Sequence, residues 1–350
     1  MNEFIISENL FTDICRIIDF AKQKTASAFN QNLTLMYWNI GSRINTEVLG
    51  NKRAEYGKQI LETLAQELKE TFPSMDFSTR NLRRMMQFAS GCSDFQIVST
   101  LSAQLSWSHF VEILPVKEDL QREFYLTMAA SERWSVRTLR EKINGMLYER
   151  TLISGKPEEF VKQELSNLRE NDVLTPDLVF KSPYFLDFTG LKGFYNERNL
   201  EEMLLSGLQQ FILELGNGFT FVERQKRMII DGEDFYLDLL FYHRKLHRLI
   251  AVELKRGRFR AEYKGQMELY LRWLDRYEKQ PGEESPLGLL LCSEGGDEQI
   301  ELLRLDQAGI QVSQYYTELP AKELLREQLR KQVIEAQARF EKFLKFEKEE

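Results

Sequence analysis

The sequence predicts an α/β protein: an all-helical N-terminal domain, then a mixed sheet with helices on its faces, then a C-terminal helix. Three observations carry that expectation. Up to about residue 150, apolar side chains recur at helical spacing, with Ile14, Ile17, Ile18 and Ala21 as one stripe and Ile60, Leu61, Leu64 and Leu68 as another. From Asn199 onward the order becomes helix, three strand-like runs, helix, strand, helix, strand, as in a sheet covered by helices. From Pro320 to Glu350 a charged run keeps an imperfect apolar stripe (Leu325, Leu329, Ile334, Phe340, Leu344), which suits a helix packed on its own domain or on a second copy.

Turn residues divide the helical part at Gly50-Asn51, Pro73-Ser74 and Gly91-Cys92-Ser93. Ser78 is placed to cap a helix starting at Thr79, and Ser106 or Ser108 to cap one starting near His109. Between Thr151 and Thr175 the chain turns polar, punctuated by Gly155-Lys156-Pro157 and Thr175-Pro176, with a charged helix between them. The expected organisation is therefore a helical domain over 1–150, a linker with a charged helix over 151–175, a sheet domain over 176–318 and a helix over 319–350.

Within the sheet domain, Asn199 caps a helix from about Leu200 to Leu215, which Gly216-Asn217-Gly218 ends. Phe219–Ile230 and Phe235–Tyr242 read as strands joined by an Asp231-Gly232 hairpin turn, and Leu249–Lys255 as the third strand. A helix follows over about Glu262–Tyr277, then a buried strand Leu287–Cys292, a helix over about Asp297–Ala308 and a last strand Ile310–Tyr315.

Composition narrows the function classes. With 43% hydrophobic and 29% charged residues the chain reads as globular, and no apolar run approaches the ~20 residues needed to cross a bilayer. Met1-Asn2-Glu3-Phe4 does not open a secretion signal, so the expected location is cytoplasmic, with no membrane partner. Three scattered cysteines argue against a disulfide framework or a CxxC zinc site. His243 and His247 are spaced i, i+4 but fall in a basic link between two strands, where that spacing does not make a zinc site. The net charge of −7 argues against a protein that coats nucleic acid over its whole surface and leaves room for a local basic patch.

The chemistry concentrates in Asp238-Leu-Leu-Phe-Tyr242 and Leu249-Ile-Ala-Val-Glu253-Leu-Lys255. Side chains alternate along a strand, so Glu253 and Lys255 share a face. Antiparallel pairing about a turn at Lys245-Leu246 sets Asp238 opposite Glu253. Two carboxylates side by side on an apolar strand repel and resist desolvation, which a hard divalent cation with oxygen ligands relieves. The adjoining ammonium would hold a water or steady negative charge developing on phosphorus. These are the parts for metal-assisted phosphodiester hydrolysis. The bland alternative is an ordinary ion-pair cluster on a surface hairpin, against which the buried-strand text Leu249–Val252 speaks.

The order of elements, with Asp238, Glu253-Leu254-Lys255 and Gln266-x-x-x-Tyr270, resembles the PD-(D/E)XK nuclease superfamily and its restriction-endonuclease-like fold. The chain as a whole resembles the bacterial YhcG-like family. The matching text includes Tyr37-Trp38-Asn39-Ile40-Gly41, Leu105-Ser106-Trp107-Ser108-His109, Trp134-Ser135-Val136-Arg137, Leu213-Glu214-Leu215-Gly216 and Asp238–Tyr242. The resemblance spans about 10–318 and leaves the C-terminal helix outside. It implies Asp238 and Glu253 as ligands of Mg²⁺ or Mn²⁺, and Lys255 acting on the nucleophilic water or the transition state. It also implies a helix carboxylate at Glu201, with Glu202 as the neighbouring alternative, and Gln266 reaching in from the following helix, Tyr270 one turn on. Arg224-Gln225 on the first strand would flank the cleft.

For nucleic acid, the basic run Arg256, Arg258, Arg260 and Lys264, interleaved by Phe259 and Tyr263, would border the site. Arg80, Arg83 and Arg84 crowd one N-terminal helix, which with the helix after Ser106 suits a helix-turn-helix-like domain. The expected activity is a metal-dependent nuclease, an endonuclease on DNA in preference to RNA, serving defence, recombination or repair. The alternative is a catalytically inactive nucleic-acid-binding or assembly module. A homo-oligomer or a partner protein, engaged through the N-terminal domain or the C-terminal helix, completes the expectations.

Overall fold

A computed structural model describes residues 28–47, 54–154, 158–193, 195–294 and 297–347, with the main chain alone for 54–60, 297, 298, 301 and 339–347. The stripe through Ile14–Ala21, the Gly50-Asn51 turn and Gly155-Lys156-Pro157 lie outside the described residues. Among the described residues no helix is long and apolar enough to cross a membrane.

The chain forms two compact units, Met1–Asn144 and Gly145–Glu350. In the first, helices cover 28–47, Ala54–Thr71, Thr79–Gly91, Phe95–Ser102, Trp107–Ile113, Asp119–Ser131 and Val136–Asn144. Ser78 caps its helix by accepting from the Asn81 N–H. Ser106, not Ser108, caps the next, in a reciprocal box with the His109 imidazole. Gly41 lies so close to the Thr79–Gly91 helix that a Cβ there would stand 1.9 Å from the Met85 carbonyl oxygen, so only glycine permits the contact. Tyr37, Ile44, Leu61, Phe77, Leu82 and Met85 fill the core between these helices.

The second unit holds a six-stranded mixed sheet in the order β1-β6-β5-β4-β3-β2. Its strands are β1 (Tyr184–Phe185), β2 (Phe219–Ile230), β3 (Glu233–His243), β4 (Arg248–Lys255), β5 (Leu287–Cys292) and β6 (Ile310–Tyr316). The first three long strands form antiparallel hairpins, and β4, β5, β6 and β1 pair in parallel. One face is covered by helices Glu197–Ser206 and Leu208–Leu215 over Leu239, Phe241, Ile250, Val252 and Leu289. The other is covered by the Ala261–Tyr277 helix over Leu240, Ala251, Leu290 and Ile310.

Several boundaries differ from the sequence expectation. The helix expected over Leu200–Leu215 is two, capped at Asn196 and broken at Gly207. Phe188 packs against Gly207 so closely that a Cβ would meet its ring at 2.8 Å. The helix expected over Asp297–Ala308 ends at Leu302, and after Arg304 in a left-handed conformation (φ 46°) a 3₁₀ turn covers Leu305–Ala308. The two-residue β1 carries too little pattern to be read in advance.

The unit boundary falls at Asn144/Gly145, ahead of the polar stretch 151–175 that the sequence suggests. A buried ion cluster ties Arg150 to the second unit. Arg150 and Lys181 both pair with Glu214, whose carboxylate also accepts the Phe185 N–H at 2.9 Å. Burial works against ionising Glu214, yet the two cations outweigh it and hold its pKa below the ordinary value. The C-terminal helix, Lys322–Glu347, packs Leu325 and Leu329 against Met146 and Ile153 of the same unit.

Candidate active site

β3 and β4 pair in register from His243↔Arg248 to Leu239↔Val252, and there their ladder ends. Beyond that point β3 continues only along β2, to Glu233↔Ile230, while β4 continues only along β5, to Lys255↔Cys292. The sheet forks, and Asp238 and Glu253 stand at the fork. Past the end of the ladder, main-chain groups bond to the carboxylates: the Asp238 N–H donates to Glu253 Oε1 at 3.3 Å and the Leu254 N–H to Asp238 Oδ2 at 2.9 Å.

Alternation brings Lys255 to the same face as Glu253, and its Nζ donates to Glu253 Oε2 at 2.9 Å. Tyr263, in the first turn of the following helix, faces it with the ring centre 5.1 Å from Nζ. From the other side of the fork comes Glu201, buried on the Glu197–Ser206 helix at 7% exposure. Glu202 faces solvent instead and pairs with Arg198. Gln225 of β2 joins the two carboxylates: its Nε2 donates to Glu201 Oε2 at 2.9 Å and to Asp238 Oδ1 at 3.2 Å. Nothing in the alternation of the sequence marks that junction, because Gln225 sits in a left-handed conformation (φ 45°) inside an otherwise extended strand.

Electrostatics follow from crowding. Burial raises the Glu253 pKa to about 7, and the Asp238 charge adds to the effect. Asp238 is also raised, first by burial and then by Glu201, against the opposing Leu254 hydrogen bond and Lys255. For Lys255, burial disfavours the ammonium, but Glu253 and Asp238 prevail and hold its pKa above the ordinary lysine value. Glu201 Oε1 is buried with no hydrogen-bond partner; Arg224 Nε, at 3.7 Å, gives it a charge contact only. Among the described residues no three acidic, imidazole or thiol side chains close into a ready metal cage. The donor set still fits a hard cation: oxygen atoms only, excess negative charge and one orphaned buried acceptor.

Comparison with known proteins identifies the family. YhcG of Escherichia coli (strain K12), named provisionally as a nuclease, is 33% identical over an alignment of 354 positions, gaps included, that covers 92% of this chain and 93% of that protein. The chain belongs to the YhcG family. Residues 13–150 match the DUF1016 N-terminal domain, and residues 177–333 match the YhcG PDDEXK nuclease domain. Two solved structures also align, each with a TM-score of 0.26. A repair endonuclease from Pyrococcus abyssi is 22% identical and covers 37% of this chain and 50% of its own. An EndoMS–dsDNA2 complex is 18% identical and covers 34% and 46%. At those scores neither adds to the assignment.

The remaining expected residues are dispersed in this YhcG-family protein. Gln266 does not hydrogen-bond to the carboxylates; its amide donates to the Tyr270 hydroxyl at 2.7 Å, and that hydroxyl donates to the Tyr236 carbonyl at 3.4 Å. Arg256, Arg258 and Arg260 are exposed near the fork, Arg258 close to Glu294 and Arg260 to Glu262. Lys264 turns to the Leu303 carbonyl and Glu268. Phe259 is buried in the core, so it interleaves no basic rim; burying its ring outweighs any surface role. His243 is buried at the end of β3 and its Nδ1 accepts the Leu246 N–H, while His247 occupies the turn with φ 49°. Arg80 and Arg83 lie on the exposed face of the Thr79–Gly91 helix, opposite Leu82, Met85 and Phe88, with Arg84 half-buried beside Asp76.

Proposed function

We propose that this protein is a metal-dependent deoxyribonuclease whose centre is Glu201, Asp238, Glu253 and Lys255. The observation that carries the reading is the fork between β3 and β4, where hydrogen bonds link Glu201 to Asp238 through Gln225, and Glu253 to Lys255. Glu201, Asp238 and Glu253 would hold Mg²⁺ or Mn²⁺. Such a cation supplies Lewis-acid polarisation of a phosphate oxygen and a more acidic bound water.

The chain's own groups do the rest. Lys255 holds its Nζ on Glu253, and its other N–H groups serve an attacking water or the charge growing on phosphorus. The Asp238 and Leu254 N–H groups lock both carboxylates in orientation before substrate arrives, which reduces reorganisation during the reaction. Arg256, Arg258 and Arg260 supply exposed positive charge along which a phosphate backbone would run, with Arg80, Arg83 and Arg84 as a second contact from the N-terminal unit, helix-turn-helix-like in role. Gln266 acts through Tyr270 and not on the cation.

The test is cleavage of labelled single- and double-stranded DNA and RNA by wild type, Asp238→Ala and Lys255→Ala, in Mg²⁺, Mn²⁺ and EDTA. Metal-dependent DNA cleavage by wild type, reduced by roughly 10²-fold or more in both variants, supports the reading. Equal cleavage by all three proteins sinks the assigned residues. Binding without cleavage in any metal moves the function to a nucleic-acid-binding module.

A further inference from the structure

Among the described residues the Gln225 side chain is the one that hydrogen-bonds to both Glu201 and Asp238, two of the proposed metal-binding carboxylates, and its backbone is strained. Its φ of 45° lies in the left-handed region, disfavoured for a residue with a Cβ, while the ladder on either side keeps the same register: Arg224↔Leu239 and Lys226↔Leu237. The irregularity is therefore local to the residue that carries the bridging amide. That amide lies 2.9 Å from Glu201 Oε2 and 3.2 Å from Asp238 Oδ1.

Both partners are carboxylates, which only accept, so the amide must present its nitrogen to them. A cation between Glu201 and Asp238 reverses the requirement. The N–H groups would then point positive hydrogens at positive charge, while the amide's other end offers a neutral oxygen of the kind that hard cations take. Turning the terminal amide over exchanges one for the other with no change in the strand.

We infer that Gln225 is a two-state positioning residue: its amide nitrogen stands in for the cation in the metal-free site, and its carbonyl oxygen turns inward as a ligand when the cation binds. This rests on the metal-dependent reading above. In the metal-free form Gln225 keeps Glu201 and Asp238 together despite their repulsion, so the site does not have to be assembled by the ion.

The experiment compares full-length wild type, Gln225→Gly and Gln225→Glu, measuring Mn²⁺ affinity by calorimetry and the melting midpoint in EDTA. Glycine adopts the left-handed backbone without strain, which protects the fold while removing the amide. Its Mn²⁺ affinity is expected to fall about tenfold, as for loss of a group that orients metal ligands. Gln225→Glu supplies oxygens and no N–H. It should melt lower than wild type in EDTA and bind Mn²⁺ at least as tightly as wild type. A merely structural role would weaken both properties together in the glutamate variant, and that result overturns the inference, as does unchanged affinity in Gln225→Gly. If wild type itself takes up neither Mn²⁺ nor Mg²⁺, the proposed function fails with it. Binding by wild type with indifference to Gln225 defeats this inference alone.

Discussion

The main-chain N–H of Asp238 donates to Glu253 while the N–H beyond Glu253, that of Leu254, donates back to Asp238. Both main-chain N–H groups lie where the β3–β4 ladder has ended, and each finds a carboxylate acceptor on the other strand. Parting the strands thus leaves neither main-chain N–H unsatisfied, and the carboxylates are oriented by the same bonds.

Glu253 should make the metal-free protein less stable as pH rises. Its folded pKa, about 7, is above the ordinary glutamate value of 4.5, so the folded state binds the proton more tightly. That contribution is complete below pH 4.5 and is lost as pH climbs towards 7. Glu253→Gln should therefore be more stable than wild type at pH 8 in EDTA, by on the order of 1–3 kcal/mol, and inactive. Denaturant titrations of both proteins at pH 5 and pH 8 check it; an equal difference at the two pH values would refute it.

His243 works in the opposite direction. Burial lowers its pKa from 6.5 to about 4, and its Nδ1 must stay unprotonated to accept the Leu246 N–H. The unfolded chain binds the proton first, so stability falls as pH drops from 6.5 towards 4. His243→Asn, which keeps an acceptor and cannot titrate, should show a shallower decline over that window. The two trends overlap, so each is read as the difference between wild type and its variant.

Glu201 and its neighbour are predicted to differ sharply. Glu201→Gln removes a buried carboxylate from the fork and should lower Mn²⁺-supported cleavage by at least tenfold. Glu202→Gln breaks only an exposed pair with Arg198, worth less than about 1 kcal/mol, and should leave cleavage within twofold or so of wild type. Reversed outcomes would move the helix carboxylate to Glu202.

For nucleic acid, a triple Arg80/Arg83/Arg84→Ala variant should bind DNA with a shallower dependence on salt, because each lost phosphate contact reduces the slope by about 0.9 on duplex DNA. The same holds for Arg256/Arg258/Arg260→Ala. Lys264→Ala should change the slope least, since its ammonium is held by the Leu303 carbonyl and Glu268. Unchanged slopes in both triple variants would remove these residues from the phosphate contacts.

Much of the sheet was legible because strand alternation and turn residues are local signals. Asp231-Gly232 and Lys245-Leu246 mark two hairpin turns, and the second sets the register that carries Leu239 to Val252. The fork was not legible, since alternation says which face a side chain takes and not where two strands part. The resemblance set Gln225 beside the cleft, but its bridge between Glu201 and Asp238 was not legible, since a single left-handed residue leaves the register on both sides intact. Asn196 outcompeted Asn199 as the cap because the two amides bond reciprocally, which composition alone does not rank. The roles of Arg150 and Lys181 depend on Glu214, distant in sequence, so no local pattern revealed them.

That cluster also decides how the protein can be cut. A fragment beginning at residue 177, where the nuclease-domain match starts, keeps Lys181 and Glu214 but discards Arg150, along with the Leu147–Ile153 surface on which the last helix rests. It would expose apolar side chains of that helix and leave an acid half-neutralised in the interior. The heritable module recognised in the family and the smallest piece able to fold are thus different lengths of chain, and dissection should begin at Gly145.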